Sequence, residues 1–148
     1  MLVTKFFSVS FLEKRLFVEA YILLGIMRAA ILTISFKRLT SSLNHYQFIH
    51  HSEMPEQKSR QSIHLIRQSI SRAARRTPWE SACLVQSLVA RIMLQKRGIP
   101  GVIYLGVAAA QTEKTPLKAH AWSQCGDIIV TGQNGHDSFK VMSTFSWK

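Results

Sequence analysis

Thr77-Pro78-Trp79-Glu80-Ser81-Ala82-Cys83-Leu84 is the stretch on which the reading of the whole chain turns. Threonine is a favoured helix N-cap, proline suits the first helical position, and Glu80 three residues after Thr77 completes a capping box. The pattern predicts a helix from about Pro78 to Arg97. Its end is marked too. Lys96 and Arg97 complement the negative pole, Gly98 suits the left-handed cap, and Pro100 stops continuation. Leu84, Leu88, Arg91/Ile92 and Gln95 fall on successive turns and predict one largely apolar, buried face. Cys83 falls in the second turn, close enough to the positive pole to favour a thiolate. A lone cysteine in an apolar helix is otherwise a small core residue.

After Pro100 the periodicity changes from helical to alternating. Residues 102–107, 119–125, 128–131 and 139–145 read as four strands of an antiparallel meander, with a surface loop over 111–118. Gly126-Asp127 reads as a two-residue hairpin turn that pairs Cys125 with Ile128. Strand side chains alternate, so His120 and Trp122 share one face and Cys125 points to the other. Any thiol–imidazole pair therefore joins His120 to Cys83. Counting outward from the hairpin sets His120 opposite Gln133. A group that orients the imidazole should come from about Thr131 to Gln133. Asp127, at the turn tip, is on the order of 17 Å from His120 along an extended strand. Gln133 can accept an imidazole hydrogen bond through its amide oxygen, but stabilises an imidazolium less than a carboxylate does.

Upstream, residues 56–76 read as an amphipathic helix with Ile63, Ile66, Ile70 and Ala73 at helical spacing. Arg60, Arg67 and Arg75 lie off that stripe, on a solvated face or one that docks an acidic peptide or protein. Residues 40–55 read as a polar linker, and their histidines lack metal-ligand spacing. From Leu16 to Phe36 the chain is almost continuously apolar, broken by Glu19 and Arg28. That length could span a bilayer. The two charges lie about half a turn apart around a helix, so they cannot neutralise each other, and each is costly in lipid. A buried helix, a helix facing a membrane surface or partner, and a true span remain open. Glu13-Lys14-Arg15 stands where a signal peptide would need small residues for cleavage. Two units are expected: an apolar helical segment and linker over 1–55, and a folded domain over 56–148.

The 148 residues suffice for a core without disulfides. With 47% hydrophobic and 18% charged residues, wholesale disorder is excluded. Two cysteines exclude a disulfide framework and a four-thiolate zinc site, and suggest a reducing cytoplasm. The formal charge of +11 favours an anionic partner: nucleic acid, a membrane surface or an acidic peptide. The basic excess is densest over 56–76, but there is no helix-turn-helix, zinc-finger or RNA-recognition signature.

Several runs together carry a resemblance. They are Arg76-Thr77-Pro78-Trp79-Glu80-Ser81-Ala82-Cys83-Leu84, Leu94-Gln95-Lys96-Arg97-Gly98-Ile99-Pro100, Tyr104-Leu105-Gly106-Val107, Ala119-His120-Ala121-Trp122 and Gly126-Asp127-Ile128-Ile129-Val130-Thr131-Gly132. Over about residues 60–148 the chain resembles the leader peptidases of lasso-peptide biosynthesis, the stand-alone protease half of a split B protein. The resemblance implies an α+β fold, a papain/transglutaminase-like core of helices on an antiparallel sheet with an N-terminal helical extension. It implies a cysteine peptidase without cofactor or metal that removes the leader from a ribosomally made precursor. Its implied partners are the precursor, a separate leader-binding protein and an ATP-dependent cyclase; nucleic acid is not among them. Cys83 matches the family nucleophile and His120 the family histidine. Family members with a Cys-His-Asp triad place the Asp where this chain has Gly132-Gln133. Gln133, Asp127 or an unassisted dyad are the alternatives. An amide or acyl transferase, and a non-catalytic basic binding module, are the competing readings. The expected location is the cytoplasm, with contact to a membrane surface through residues 16–36 as an option.

Overall fold

The structure is a computed structural model that describes residues 10–41, 55–79, 81–112 and 115–147. Most of the expected linker and Glu80 of the expected capping box lie outside the described residues. Among the described residues four helices precede a four-stranded sheet: α1 (Phe11–Thr33), α2 (Phe36–Ser41), α3 (Gln57–Ala74), α4 (Cys83–Gln95), β1 (Gly101–Thr112), β2 (Thr115–Cys125), β3 (Ile128–Thr131) and β4 (Lys140–Trp147). A short 3-10 helix, His136–Ser138, precedes β4.

α1 starts with a reciprocal cap that the apolar pattern alone did not reveal. The Glu13 amide donates to Ser10 Oγ at 3.3 Å, and the Ser10 amide to Glu13 Oε2 at 3.1 Å. Leu16, Ala20 and Leu24 recur at i, i+4, i+8 and are buried, and the helix packs on α3 and α4. Glu19 reaches Arg97 just past the end of α4 in a two-pronged ion pair of 3.1 and 2.8 Å. An acid inside the apolar run is thus accounted for by a partner on another element. The opposite face of α1 leaves Phe11, Val18, Ile22, Ile26 and Leu32 exposed. By length and composition the helix could cross a membrane.

α3 buries Ile63, Ile66, Ile70 and Ala73, the stripe its spacing predicts. α4 departs from expectation at its start. It begins at Cys83, not Pro78, and its N-cap is Ala82, which has no capping side chain. Thr77 Oγ1 instead lies within hydrogen-bond distance of the Ala74 and Trp79 carbonyls and Ser81 Oγ, at 3.1, 3.0 and 2.8 Å. The physical reason is Trp79. Its indole packs edge-on against Tyr21 at 5.4 Å and lies over Gly25, where a Cβ would come within 3.1 Å of the ring. Burying this large apolar surface on α1 outweighs a local helix start. The buried stripe of α4 also differs, running through Val85, Leu88, Val89 and Met93 in place of Leu84, Arg91 and Gln95. The helix end follows the sequence: Gly98 has φ +70°, and the Ile99 amide closes on the Leu94 carbonyl at 3.0 Å.

The sheet order is β3-β2-β1-β4, antiparallel throughout. The first three strands form the expected meander. β4 does not follow β3 but crosses to the far edge beside β1, which lets Phe145 and Trp147 join Ile103 in the core. The expected loop over 111–118 is mostly strand: β1 and β2 stay paired out to Thr112 and Thr115. α4 packs against β1, β2 and β3, and α3 against β3. Cys125, Ile128 and Val130 are buried there.

Candidate active site

A cavity of about 360 Å³ opens where the start of α4, one side of α3 and the exit from β3 meet. Cys83, His120, Gln133 and Arg67 all line it.

Cys83 is the first residue of α4, one turn closer to the pole than the sequence suggests. The first amides of a helix have no internal partner, and Ala82 supplies no side chain to occupy them. Negative charge on the sulfur or on an adjacent oxygen is therefore well placed here. Gln86, one turn on, donates its amide to the Ser81 carbonyl at 2.8 Å and so holds the chain entering the helix. The second thiol has the opposite setting. Cys125 is 1% exposed in the core, and burial pushes it up to about 12.

His120 sits on β2 beyond the point where β3 ends. Cys125 pairs with Ile128 as expected, but the register shifts between Ser123 and Gln124, so Ser123 faces Thr131. The extra residue, a bulge in β3, breaks the count that set Gln133 opposite His120. What meets the imidazole is the backbone of Gly132: the carbonyl oxygen is 2.7 Å from Nε2. A carbonyl only accepts, so Nε2 carries the proton and Nδ1 keeps a lone pair in the neutral ring. The ring packs against Trp122 (5.9 Å, 25°) and Phe139 (5.0 Å, 33°), which restricts its orientation. Gly132 makes this approach possible. Its φ is +74°, and a Cβ would stand 2.4 Å from the Ala121 carbonyl oxygen.

The two candidates for a third group go elsewhere. Asp127 accepts two hydrogen bonds from Arg60 at the hairpin tip, 2.8 and 3.2 Å, and does not line the cavity. That guanidinium holds its carboxyl below the usual carboxylate range. Gln133 does line the cavity, but its amide oxygen accepts from Arg67 and not from His120. Arg67, expected on a solvated or docking face, is thus part of the cavity wall. No sequence signal marked the Gly132 carbonyl, because every residue has one; only the need for a glycine hints at it.

Ser87 on α4, Thr131 on β3 and Ser123 on β2 form a buried hydroxyl chain of 3.0 and 2.7 Å. It ties the helix carrying Cys83 to the strand that delivers Gly132.

The site thus offers a thiol at a helix start, an imidazole with a fixed tautomer, and unpaired amides nearby. Those are the parts of a nucleophilic acyl-transfer site. Comparison with curated proteins and with solved structures finds no match. A family model does match: Transglut_core3, the transglutaminase-like superfamily, over residues 30–144. This superfamily covers cysteine peptidases and acyltransferases. The match spans most of the chain, from within α1 into β4, and the helices with a four-stranded antiparallel sheet agree with it: the chain belongs to the transglutaminase-like superfamily.

Proposed function

We propose that this protein is a cysteine peptidase that cleaves the leader from a lasso-peptide precursor. The observation that carries the reading is the shared cavity of Cys83, at the first position of α4, and His120, protonated on Nε2 by the demand of the Gly132 carbonyl. The lasso assignment rests on the resemblance of the runs around Cys83, His120 and Gly132 to that family's peptidases.

In this reading Nδ1 of His120 takes the Cys83 proton while the sulfur attacks the scissile carbonyl carbon. The tetrahedral oxyanion is met by the Cys83 amide at the helix start. The intermediate collapses as the imidazolium protonates the leaving amine, and a thioester remains on Cys83. Water then attacks that thioester, giving up its proton to His120. The leader leaves as a carboxylic acid and the thiol is restored. Asp127 takes no part. A separate leader-binding protein presents the precursor and an ATP-dependent cyclase uses the freed core, in the cytoplasm, with the apolar outer face of α1 available to a membrane surface.

The test is mass spectrometry of the cognate precursor incubated with this protein and its leader-binding partner. One cut at the leader–core junction, absent with Cys83→Ala, supports the reading. No cut with the partner shown to be bound overturns it. Transfer to an amine is the rival outcome of the same thioester. It is distinguished by adding hydroxylamine and asking whether hydroxamate replaces acid as the main product.

A further inference from the structure

Gln133 has one end engaged and one end not. Its amide oxygen accepts from an Arg67 Nη. A guanidinium is donor-only, so it dictates which end of the amide faces it. The NH2 group must then face away from Arg67. Gln133 is exposed, its one side-chain hydrogen bond among the described residues is the one from Arg67, and it lines the cavity that holds Cys83 and His120, so its NH2 is free to donate there. Had Gln133 been the group that orients the imidazole, its oxygen would have been needed by His120. That task is already done by Gly132, the residue before it.

We propose that Gln133 is a catalytic residue whose side-chain NH2 donates to the oxyanion formed when the Cys83 sulfur adds to a carbonyl, and that Arg67 is the positioning residue that turns the amide to do so. The inference rests on Cys83 being the nucleophile. It assigns the second donor beside the Cys83 amide, and it explains why a basic residue of α3 points into the cavity. A pre-aimed amide stabilises charge that exists only in the transition state, so it acts on the rate of acylation and not on the thiol itself.

Two reagents separate these effects on the whole protein. p-Nitrophenyl acetate acylates a thiolate through a tetrahedral oxyanion: the S–C bond forms, and the C–O bond to p-nitrophenolate breaks. Iodoacetamide alkylates the same thiolate by displacing iodide, with no oxyanion. The ratio of the two rates at Cys83 reports oxyanion stabilisation alone. Gln133→Met keeps the volume and removes the donor, and should lower that ratio by about 10²-fold with alkylation unchanged. Arg67→Met frees the amide to rotate and should lower the ratio less, with partial recovery in Arg67→Lys. An unchanged ratio in Gln133→Met overturns the proposal. So does an equal loss of both rates, which would make Gln133 a support for the thiol or the fold. A wild-type protein that forms no acetyl-Cys83 while remaining alkylatable overturns the nucleophile reading instead, and Gln133 with it.

Discussion

The Nε2 of His120 donates to the carbonyl oxygen of Gly132 across 2.7 Å, so a backbone group occupies the place where a side-chain acid is looked for in a triad. A carbonyl orients the ring and fixes its tautomer, but it carries no charge to offset an imidazolium. Nitrogen-15 NMR of the neutral imidazole should show Nε2 protonated and Nδ1 bare. The Nδ1–H tautomer would refute the arrangement. Gly132→Ala should lower Cys83 acylation by at least about tenfold, because its Cβ would collide with the Ala121 carbonyl at 2.4 Å and displace the acceptor.

The two thiols should differ sharply in reactivity. Cys83 is half-buried at a helix start, and Cys125 is enclosed in the core with its thiol raised to about 12. Native protein treated with iodoacetamide near neutral pH should be modified at Cys83 alone, read by peptide mass spectrometry, with Cys125 reacting only after denaturation. Cys125→Ala should keep acylation while lowering stability by about 1–2 kcal/mol through lost packing. Native labelling of Cys125 would contradict this core.

Local signals in the sequence account for part of this site. The Lys96–Pro100 stop, the Gly126-Asp127 turn and the isoleucine stripe of α3 need only near neighbours, and each appears as read. The start of α4 needed knowledge of α1, since it is Trp79 on Tyr21 and Gly25 that keeps Thr77, Pro78 and Trp79 out of the helix. The place of β4 beside β1 is likewise a tertiary outcome, driven by burial of Phe145 and Trp147. Cys83 and His120, which line one cavity, could be singled out as candidates because their chemistry is in the side chain. The partner of His120 was not, because a one-residue bulge moved the register and the acceptor is backbone.

Asp127 offers a control. Its carboxylate is engaged by Arg60 at the hairpin tip, away from the cavity. Asp127→Asn should therefore leave the acylation rate and its pH profile unchanged. A loss of tenfold or more, with the protein still folded by circular dichroism, would bring Asp127 back as the third group.

The hydroxyl chain Ser87–Thr131–Ser123 is fully buried and crosses three elements. Thr131→Val keeps the shape and strands both serine hydroxyls. Each buried group left without a partner costs about 1–3 kcal/mol. The melting temperature should fall by several degrees. Acylation should fall as well, since Gly132 follows Thr131 directly and the same hydroxyls seat α4. Ser87→Ala leaves Thr131 bonded to Ser123 and should be milder in both respects. Equal effects from the two variants would show that Thr131 is not the centre of the chain.

Glu19 makes the docking of α1 dependent on pH. Its hydrogen bonds from Arg97, helped by the nearby charges of Lys96 and Arg15, hold the carboxyl below its ordinary value, against the opposing effect of burial. A carboxyl that is more acidic folded than unfolded binds fewer protons in the folded state. Its contribution is complete above the unfolded value, near 4.3 for a free glutamate, and is lost as pH falls through the lower folded value. Glu19→Gln should therefore be less stable than wild type by about 2 kcal/mol at pH 7, where a charge-assisted pair is missing. The two proteins should converge as the acid limb is descended. Urea titrations from pH 7 to pH 3 measure this difference directly. A constant gap across that range would mean that Glu19 stabilises α1 by packing and not by its charge. The same titration followed at Trp79 fluorescence tests whether α1 leaves the domain as the carboxyl is protonated, because the indole packs on Tyr21 of that helix.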